Sequence, residues 1–101
     1  MRHTTFCLWA AMALFVVNAP VFAQDADNGR RISERSCASC HAIDATKSRR
    51  AISFAAIAAK PGMSAEIVAS FLLMPQMTMP GLPLRHNEAQ DVAAFIMTQK
   101  K

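Results

Sequence analysis

Two cysteines and a histidine stand together in the segment Cys37-Ala38-Ser39-Cys40-His41. A single turn of backbone can present two thiols at this spacing, and the imidazole that follows them, on one side. A structural zinc site needs four ligands, and no second ligand cluster lies at finger spacing. A thiol–disulfide redox pair needs a thioredoxin-like βαβ framework, and a plain structural disulfide would leave the histidine unused.

The interpretation that uses all three side chains is covalent attachment of a c-type haem. Cys37 and Cys40 would form thioether bonds with the two vinyl groups on one edge of the porphyrin. His41 would then lie beneath the ring centre as the proximal axial iron ligand. That ligand has to be a neutral imidazole whose other ring nitrogen donates to a fixed acceptor. The motif therefore predicts one covalent haem c as the cofactor.

The first 23 residues are typical of a secretory signal peptide that is cleaved after Ala23. Arg2 precedes an apolar run over residues 6–17, and small residues stand three positions and one position before the expected cleavage point. An uncleaved anchor is the alternative, but the run is too short to span a membrane comfortably. We expect export to an oxidising compartment, which in a bacterium is the periplasm.

Residues 24–101 are predicted to form one small domain with a thin core. They contain three phenylalanines and no tryptophan or tyrosine, so the haem is expected to supply much of the apolar contact area. No run in this segment approaches the roughly 20 apolar residues of a membrane span. The full chain has a net charge of +4, and residues 24–101, which lack Arg2, have a net charge of +3. They contain no basic stripe with interleaved aromatic residues, so nothing in them indicates nucleic-acid binding.

The fold class predicted is all-α, with about four helices and long connections, because helical signals recur and alternating strand patterns do not. Asp25 opens the first helix, Ser53 and Ser64 can cap the second and third, and the last is expected to begin at Asn87. On the third helix, one apolar stripe comprises Ile67, Phe71 and Met74.

A methionine is expected on the far side of the haem, because its thioether is common in electron-transfer haems and raises the reduction potential. Met79 is favoured as the distal axial iron ligand, with Met77 as the alternative, since both lie in the proline-rich segment 75–84. The methionines interpreted as packing residues are Met63, Met74 and Met97.

With these motifs, residues 24–101 resemble a small class I c-type cytochrome of the bacterial monohaem kind. Residues 29–32 look like the family's first helix, and residues 79–84 resemble its axial-methionine loop. The resemblance implies a small helical domain wrapped around one covalent haem. It also implies that Gly29 lets the first helix cross closely against Phe95 of the last helix.

Three departures from the family pattern affect the site. Residues 24–101 contain no tryptophan or tyrosine to hydrogen-bond a haem propionate, which leaves Lys47, Arg49 and Arg50 as candidates, with a solvated charged loop as the alternative. The family often places a proline after the haem motif, and the carbonyl group of that proline accepts from the axial histidine. No proline stands near residues 50–53, so the carbonyl group of Ala51 or Ile52 is expected to accept instead. Arg85 stands where the family often starts its last helix with Ser or Thr, so the start of this helix is expected to shift to Asn87.

An iron with both axial positions filled has no open site for a substrate, so the predicted function is electron transfer, not catalysis. The chain would shuttle single electrons between exported redox proteins, freely or as the haem subunit of a larger oxidoreductase, after loading by haem-attachment machinery. The alternative is a haem enzyme subunit or gas sensor with an open or labile sixth iron site. The residues expected to form the haem walls are Ile32, Ile57, Phe71, Leu72, Leu82, Val92 and Ile96.

Overall fold

The computed structural model describes residues 24–44, 47–75, 79 and 82–101. Within these residues the chain forms four α-helices and no β-strand, which confirms the predicted all-α class. The helices are α1 (Ala26–Ser36), α2 (Phe54–Ala58), α3 (Ala65–Leu73) and α4 (His86–Thr98). None of them is both long and apolar enough to cross a membrane. The predicted signal peptide, residues 1–23, lies outside the described residues.

Side-chain caps start the first three helices where the sequence predicts. The Asp25 carboxylate accepts from the backbone amide of Asn28 at 3.0 Å. The Ser53 hydroxyl accepts from the Ala56 amide at 3.1 Å, and the Ser64 hydroxyl accepts from the Ile67 amide in the same way. Each cap satisfies an amide that has no partner within its helix, which fixes the helix start locally.

The start of α4 differs from the prediction at Asn87. Arg85 occupies the N-cap position with extended backbone, and the helix begins at His86. The backbone amide of Arg85 donates to the Glu88 carboxylate at 3.0 Å, which is half of a capping box. The carboxylate three residues into the helix therefore sets the boundary, although arginine is an unusual capping residue.

Helix α4 is the centre of the fold, because α1, α2 and α3 all pack against it. The crossing of α1 and α4 requires glycine at position 29. A Cβ atom there would overlap the backbone carbonyl group of Asp91. The atoms nearest to that Cβ are backbone atoms of α4, at Asp91 and Val92. Phe95, the residue that the resemblance names at this crossing, lies one turn further along α4. Its ring lies beneath the guanidinium of Arg30 and packs against Phe54, with ring centroids 6.0 Å apart.

A second contact ties the start of α1 to α4. The Asp91 carboxylate accepts from the Asp25 amide at 2.8 Å and from the Asn28 side-chain amide at 2.9 Å. The helix crossing and these bonds hold α1 against α4, and the first cysteine of the motif follows directly after the end of α1 at Ser36. The buried apolar core includes Ile32, Phe54, Ala58, Val68, Val92, Ala93, Phe95 and Ile96.

Candidate haem site

The motif forms a tight turn at the end of α1. Cys37 is the C-cap of the helix, and its amide donates to the Ser33 carbonyl oxygen at 2.8 Å. The amides of Cys40 and His41 both donate to the Cys37 carbonyl oxygen, at 3.2 and 2.9 Å. This turn brings the side chains of Cys37, Cys40 and His41 to the lining of a single cleft, as the spacing predicts.

The two cysteines differ in environment, although both are free thiols. Cys37 is buried, and burial raises the pKa of its thiol, while a hydrogen bond with the side chain of Ser33 opposes this in part. Cys40 is only partly buried, and its sulfur accepts from the Ser39 hydroxyl at 3.8 Å. The first thiol is therefore held in the protein interior and the second lies nearer to solvent.

His41 is oriented by a hydrogen bond from its own ring. Its Nδ1 lies 2.6 Å from the carbonyl oxygen of Ile52. A carbonyl oxygen can only accept, so Nδ1 carries the proton and Nε2 keeps its lone pair in the neutral ring. Of the two acceptors left open by the sequence, the structure selects Ile52. The ring also packs against Phe54, with centroids 5.6 Å apart.

Backbone hydrogen bonds join the attachment turn to the segment that carries Ile52. The Ala51 amide donates to the Cys40 carbonyl oxygen at 3.0 Å, and the Phe54 amide donates to the Ala42 carbonyl oxygen at 2.9 Å. We call residues 37–42 and 49–54 together the attachment wall. Its hydrogen bonds are made within the polypeptide, so the position of His41 is set by the fold itself.

Residues of helix α3 and Met79 also line the cleft, and we call α3 and Met79 together the distal wall. Ile67 and Phe71 line the cleft and remain 52% and 50% exposed, so two residues of the apolar stripe predicted on α3 face this opening. Met74, the third residue of that stripe, is exposed and is not part of the lining, so it is not the packing residue that the sequence predicts. Met79 is half-buried and also lines the cleft. Met77, the alternative distal ligand, lies outside the described residues.

The cleft has a volume of about 290 Å³ and is walled mainly by apolar side chains. All but one of the predicted haem-wall residues line it. The exception is Ile32, which is 3% exposed and packs in the core behind the cleft. The lining side chains beyond the motif are Ser36, Ile52, Phe54, Ile57, Lys60, Met63, Ile67, Val68, Phe71, Leu72, Met79, Leu82, Val92 and Ile96.

These residues suit a haem better than a bare metal ion. An imidazole and a thioether are both established axial ligands of haem iron, and two thiols can attach the ring edge. An apolar slot with few polar groups is the usual setting for a cofactor of this kind. No group of three or more His, Cys, Asp or Glu side chains that could bind a metal ion occurs in the described part of the chain.

Several lining residues were not assigned to the cleft from sequence, and Met63 and Lys60 are the most informative of them. Met63 packs against the core, as predicted, and it also lines the cleft. Lys60 follows α2 and is the only lysine or arginine among the described lining residues. It stands just before Pro61-Gly62, where the sequence indicates only a helix stop, so no local pattern could have assigned it to the site.

The chain matches the cytochrome c family over residues 26–100. It therefore belongs to that family, as a small class I c-type cytochrome with one covalently bound haem c. It is 42% identical to cytochrome c-552 of Bradyrhizobium diazoefficiens over 93 residues, which cover 89% of this chain and 88% of that protein. No solved structure gives a significant match. The chain is accordingly a haem electron carrier and not an enzyme.

Proposed function

We propose that this cytochrome carries single electrons between exported redox proteins, with its haem attached through Cys37 and Cys40 and its iron bound between His41 and Met79. The observation that supports the proposal is that all four side chains line one cleft. Cys37, Cys40 and His41 approach it from the attachment wall, and Met79 comes from a segment far away in sequence.

On the proximal side, His41 is suited to bind iron through Nε2. The hydrogen bond from its Nδ1 to the Ile52 carbonyl oxygen fixes both the tautomer and the ring plane. It also makes the imidazole a stronger electron donor, because the shared proton leaves more negative charge on the ring. A ligand held in this way needs little rearrangement when the charge of the iron changes.

On the distal side, Met79 would supply a thioether. This soft ligand favours ferrous iron and raises the reduction potential, and the apolar lining acts in the same direction because it disfavours the extra charge of ferric iron. Haem c supplies the electron exchange itself, by alternating between the ferrous and ferric states. With both axial positions taken by side chains, small ligands and substrates are kept from the iron.

Lys60 is the side chain we assign to the haem propionates. Two carboxylates at the mouth of an apolar cleft need a counter-charge, and Lys60 is the only lysine or arginine among the described lining residues. Lys60 is exposed, so its ammonium group can stay hydrated while it pairs with a carboxylate. The candidates from sequence, Lys47, Arg49 and Arg50, do not line the cleft, and Arg49 donates to the backbone of the attachment turn.

Export follows from the sequence of residues 1–23, which we propose are removed after Ala23 on the way to the periplasm. The mature chain would then begin at Gln24, next to the Asp25 cap of α1. Haem-attachment machinery in the same compartment would add the haem before the protein meets its donor and acceptor.

The test is expression of the full precursor in a bacterium that matures c-type cytochromes. We expect an intact mass equal to residues 24–101 plus one haem, and a denatured band that stains for haem. In the ferric protein, a weak far-red absorption band is expected to report the Met–iron bond. This band should be lost in Met79→Ala and kept in Met63→Ala, the matched control from the same cleft.

Two results would contradict the proposal. Rapid binding of CO to the reduced wild-type protein would indicate an open sixth site, as a gas sensor or haem enzyme requires. Loss of the far-red band in Met77→Ala, but not in Met79→Ala, would identify Met77 as the distal axial ligand.

A further inference from the structure

Arg49 contacts the attachment turn from the neighbouring loop. Its Nη1 donates to the carbonyl oxygen of Ala38, between the two cysteines, at 3.1 Å. Its own backbone amide donates to the Ala51 carbonyl oxygen at 3.2 Å. We propose that Arg49 is a positioning residue for His41, because it holds the loop whose Ile52 carbonyl group orients the imidazole. This inference rests on the proposed role of His41 as an iron ligand.

The orientation of the Ile52 carbonyl group needs such support. Isoleucine does not fix its own φ angle as a proline ring does, and the Ile52 side chain is 37% exposed, so packing restrains it only in part. After Ile52, the bond from the Phe54 amide to Ala42 anchors the chain. Before Ile52, the bond from the Ala51 amide to the Cys40 carbonyl oxygen anchors the chain to the attachment turn.

Further upstream, the loop depends on Arg49. Among the described residues that precede Ala51 in this loop, Arg49 makes the only hydrogen bond to the attachment turn. The other bond in this region, from the Ser53 amide to the Ser48 hydroxyl, is long at 3.4 Å and stays within the loop. Without Arg49, one edge of the loop would be free to move away from the turn.

The chemistry of the contact between Arg49 and the Ala38 carbonyl oxygen suits a role in holding the loop. A guanidinium is a planar, charged donor that donates strongly to a carbonyl oxygen, so this one contact can hold the loop against the turn. A looser loop would weaken the bond between His41 and Ile52. That bond controls how strongly the imidazole donates to the iron, so the effect of Arg49 should be visible at His41 itself.

The test measures hydrogen exchange in the ferrous, haem-loaded protein by NMR. The exchange rate of the His41 Nδ1 proton is compared in wild type, Arg49→Ala, Arg49→Lys and Arg50→Ala. Arg50 is exposed and adjacent, so its variant removes the same charge without removing the Ala38 contact. The Val92 amide in the buried part of α4 reports global opening.

We expect the His41 proton to exchange roughly tenfold faster in Arg49→Ala, as loss of one charge-assisted hydrogen bond implies. Arg50→Ala should stay within about twofold of wild type, Arg49→Lys should fall between them, and Val92 should be unchanged in all. Equal rates in Arg49→Ala and Arg50→Ala would overturn the inference. So would a matching acceleration at Val92, which would mean a loss of stability alone.

The same experiment separates this inference from the proposed function. A wild-type spectrum with no ring-shifted His41 proton would count against His41 as the ligand. The Ala51 amide, which donates to Cys40, would still report whether the loop is docked. Faster exchange of the Ala51 amide proton in Arg49→Ala than in Arg50→Ala would support the role of Arg49 in holding the loop, and equal exchange would overturn it.

Discussion

The two walls of the cleft are built in different ways. The attachment wall is held by hydrogen bonds between two segments of the chain, including the bond that orients His41. The distal wall presents Ile67 and Phe71 half-exposed toward the cleft, and its Met79 stands in a proline-rich segment. Polar bonds fix direction, whereas apolar surface gains free energy from burial without fixing direction. The proximal ligand is therefore positioned by the polypeptide, whereas the distal wall presents apolar surface that a bound haem would bury.

The largest expected effect comes from removing each ligand in turn. His41→Ala should reduce attached haem at least tenfold, because it removes the ligand that the attachment wall holds in place. Met79→Ala should keep most of the attached haem, with a lower reduction potential, because a thioether no longer favours ferrous iron. Haem staining normalised to protein amount, with a redox titration of Met79→Ala, measures both. Equal loss of haem in the two variants would contradict the claim that only the attachment wall holds its ligand in place.

A second prediction concerns the helix crossing that places the attachment wall against α4. Gly29→Ala should destabilise the haem-loaded protein by about 3 kcal/mol, because the added Cβ overlaps the Asp91 backbone. Gly62→Ala is the control: Gly62 has a φ of 75° with open space around it, so the cost is about 1 kcal/mol of backbone strain. Thermal unfolding of the ferric proteins gives the comparison. A larger loss for Gly62→Ala would contradict the close crossing.

The sequence could predict those parts of the fold that depend on local chemistry. The caps at Asp25, Ser53 and Ser64 each bond to an amide three residues on, so neighbouring residues decide them. The α4 boundary was missed because Arg85 has no capping side chain of the usual type, and Glu88 bonds to its backbone amide instead.

Features that depend on packing could not be read in this way. The partner of Gly29 across the crossing is a backbone carbonyl group, which no residue pattern identifies. The choice of Ile52 over Ala51 depends on a one-residue register of the loop against the turn. Lys60 and Met63 reach the cleft only because the chain turns after α2.

A smaller effect is expected on the binding of added imidazole, which should respond to a change in the distal wall and not to one in the attachment wall. Phe71→Ala should let added imidazole bind the ferric iron several-fold more tightly, since it opens the apolar wall beside Met79. Ser53→Ala should lower thermal stability by about 1 kcal/mol, through loss of the α2 cap, and leave imidazole affinity unchanged. Optical titration measures affinity, and thermal melts measure stability. Weaker or unchanged imidazole binding by Phe71→Ala would contradict the apolar closure of the distal wall.

The smallest expected effect is a difference in thiol reactivity between the two cysteines of the attachment wall, measured in the reduced, haem-free chain. Iodoacetamide should modify Cys40 faster than Cys37, because Cys37 is buried and its thiol pKa is raised. Since the pKa of Cys37 is raised in the folded chain, its contribution to stability is present below the ordinary thiol value of 9.0 and is lost as the pH rises above it. Mass spectrometry of the labelled peptides, repeated in urea, checks the order. Equal labelling without urea would contradict the burial of Cys37.

The most direct test of the account is the proton NMR spectrum of the ferrous, haem-loaded protein. A methionine bound to iron places its methyl group over the porphyrin ring, where the ring current shifts its resonance far upfield. We predict one such methyl resonance in wild type and in Met63→Ala, and none in Met79→Ala. Persistence of that resonance in Met79→Ala would show that another residue binds the iron, and the account of the distal wall would be wrong.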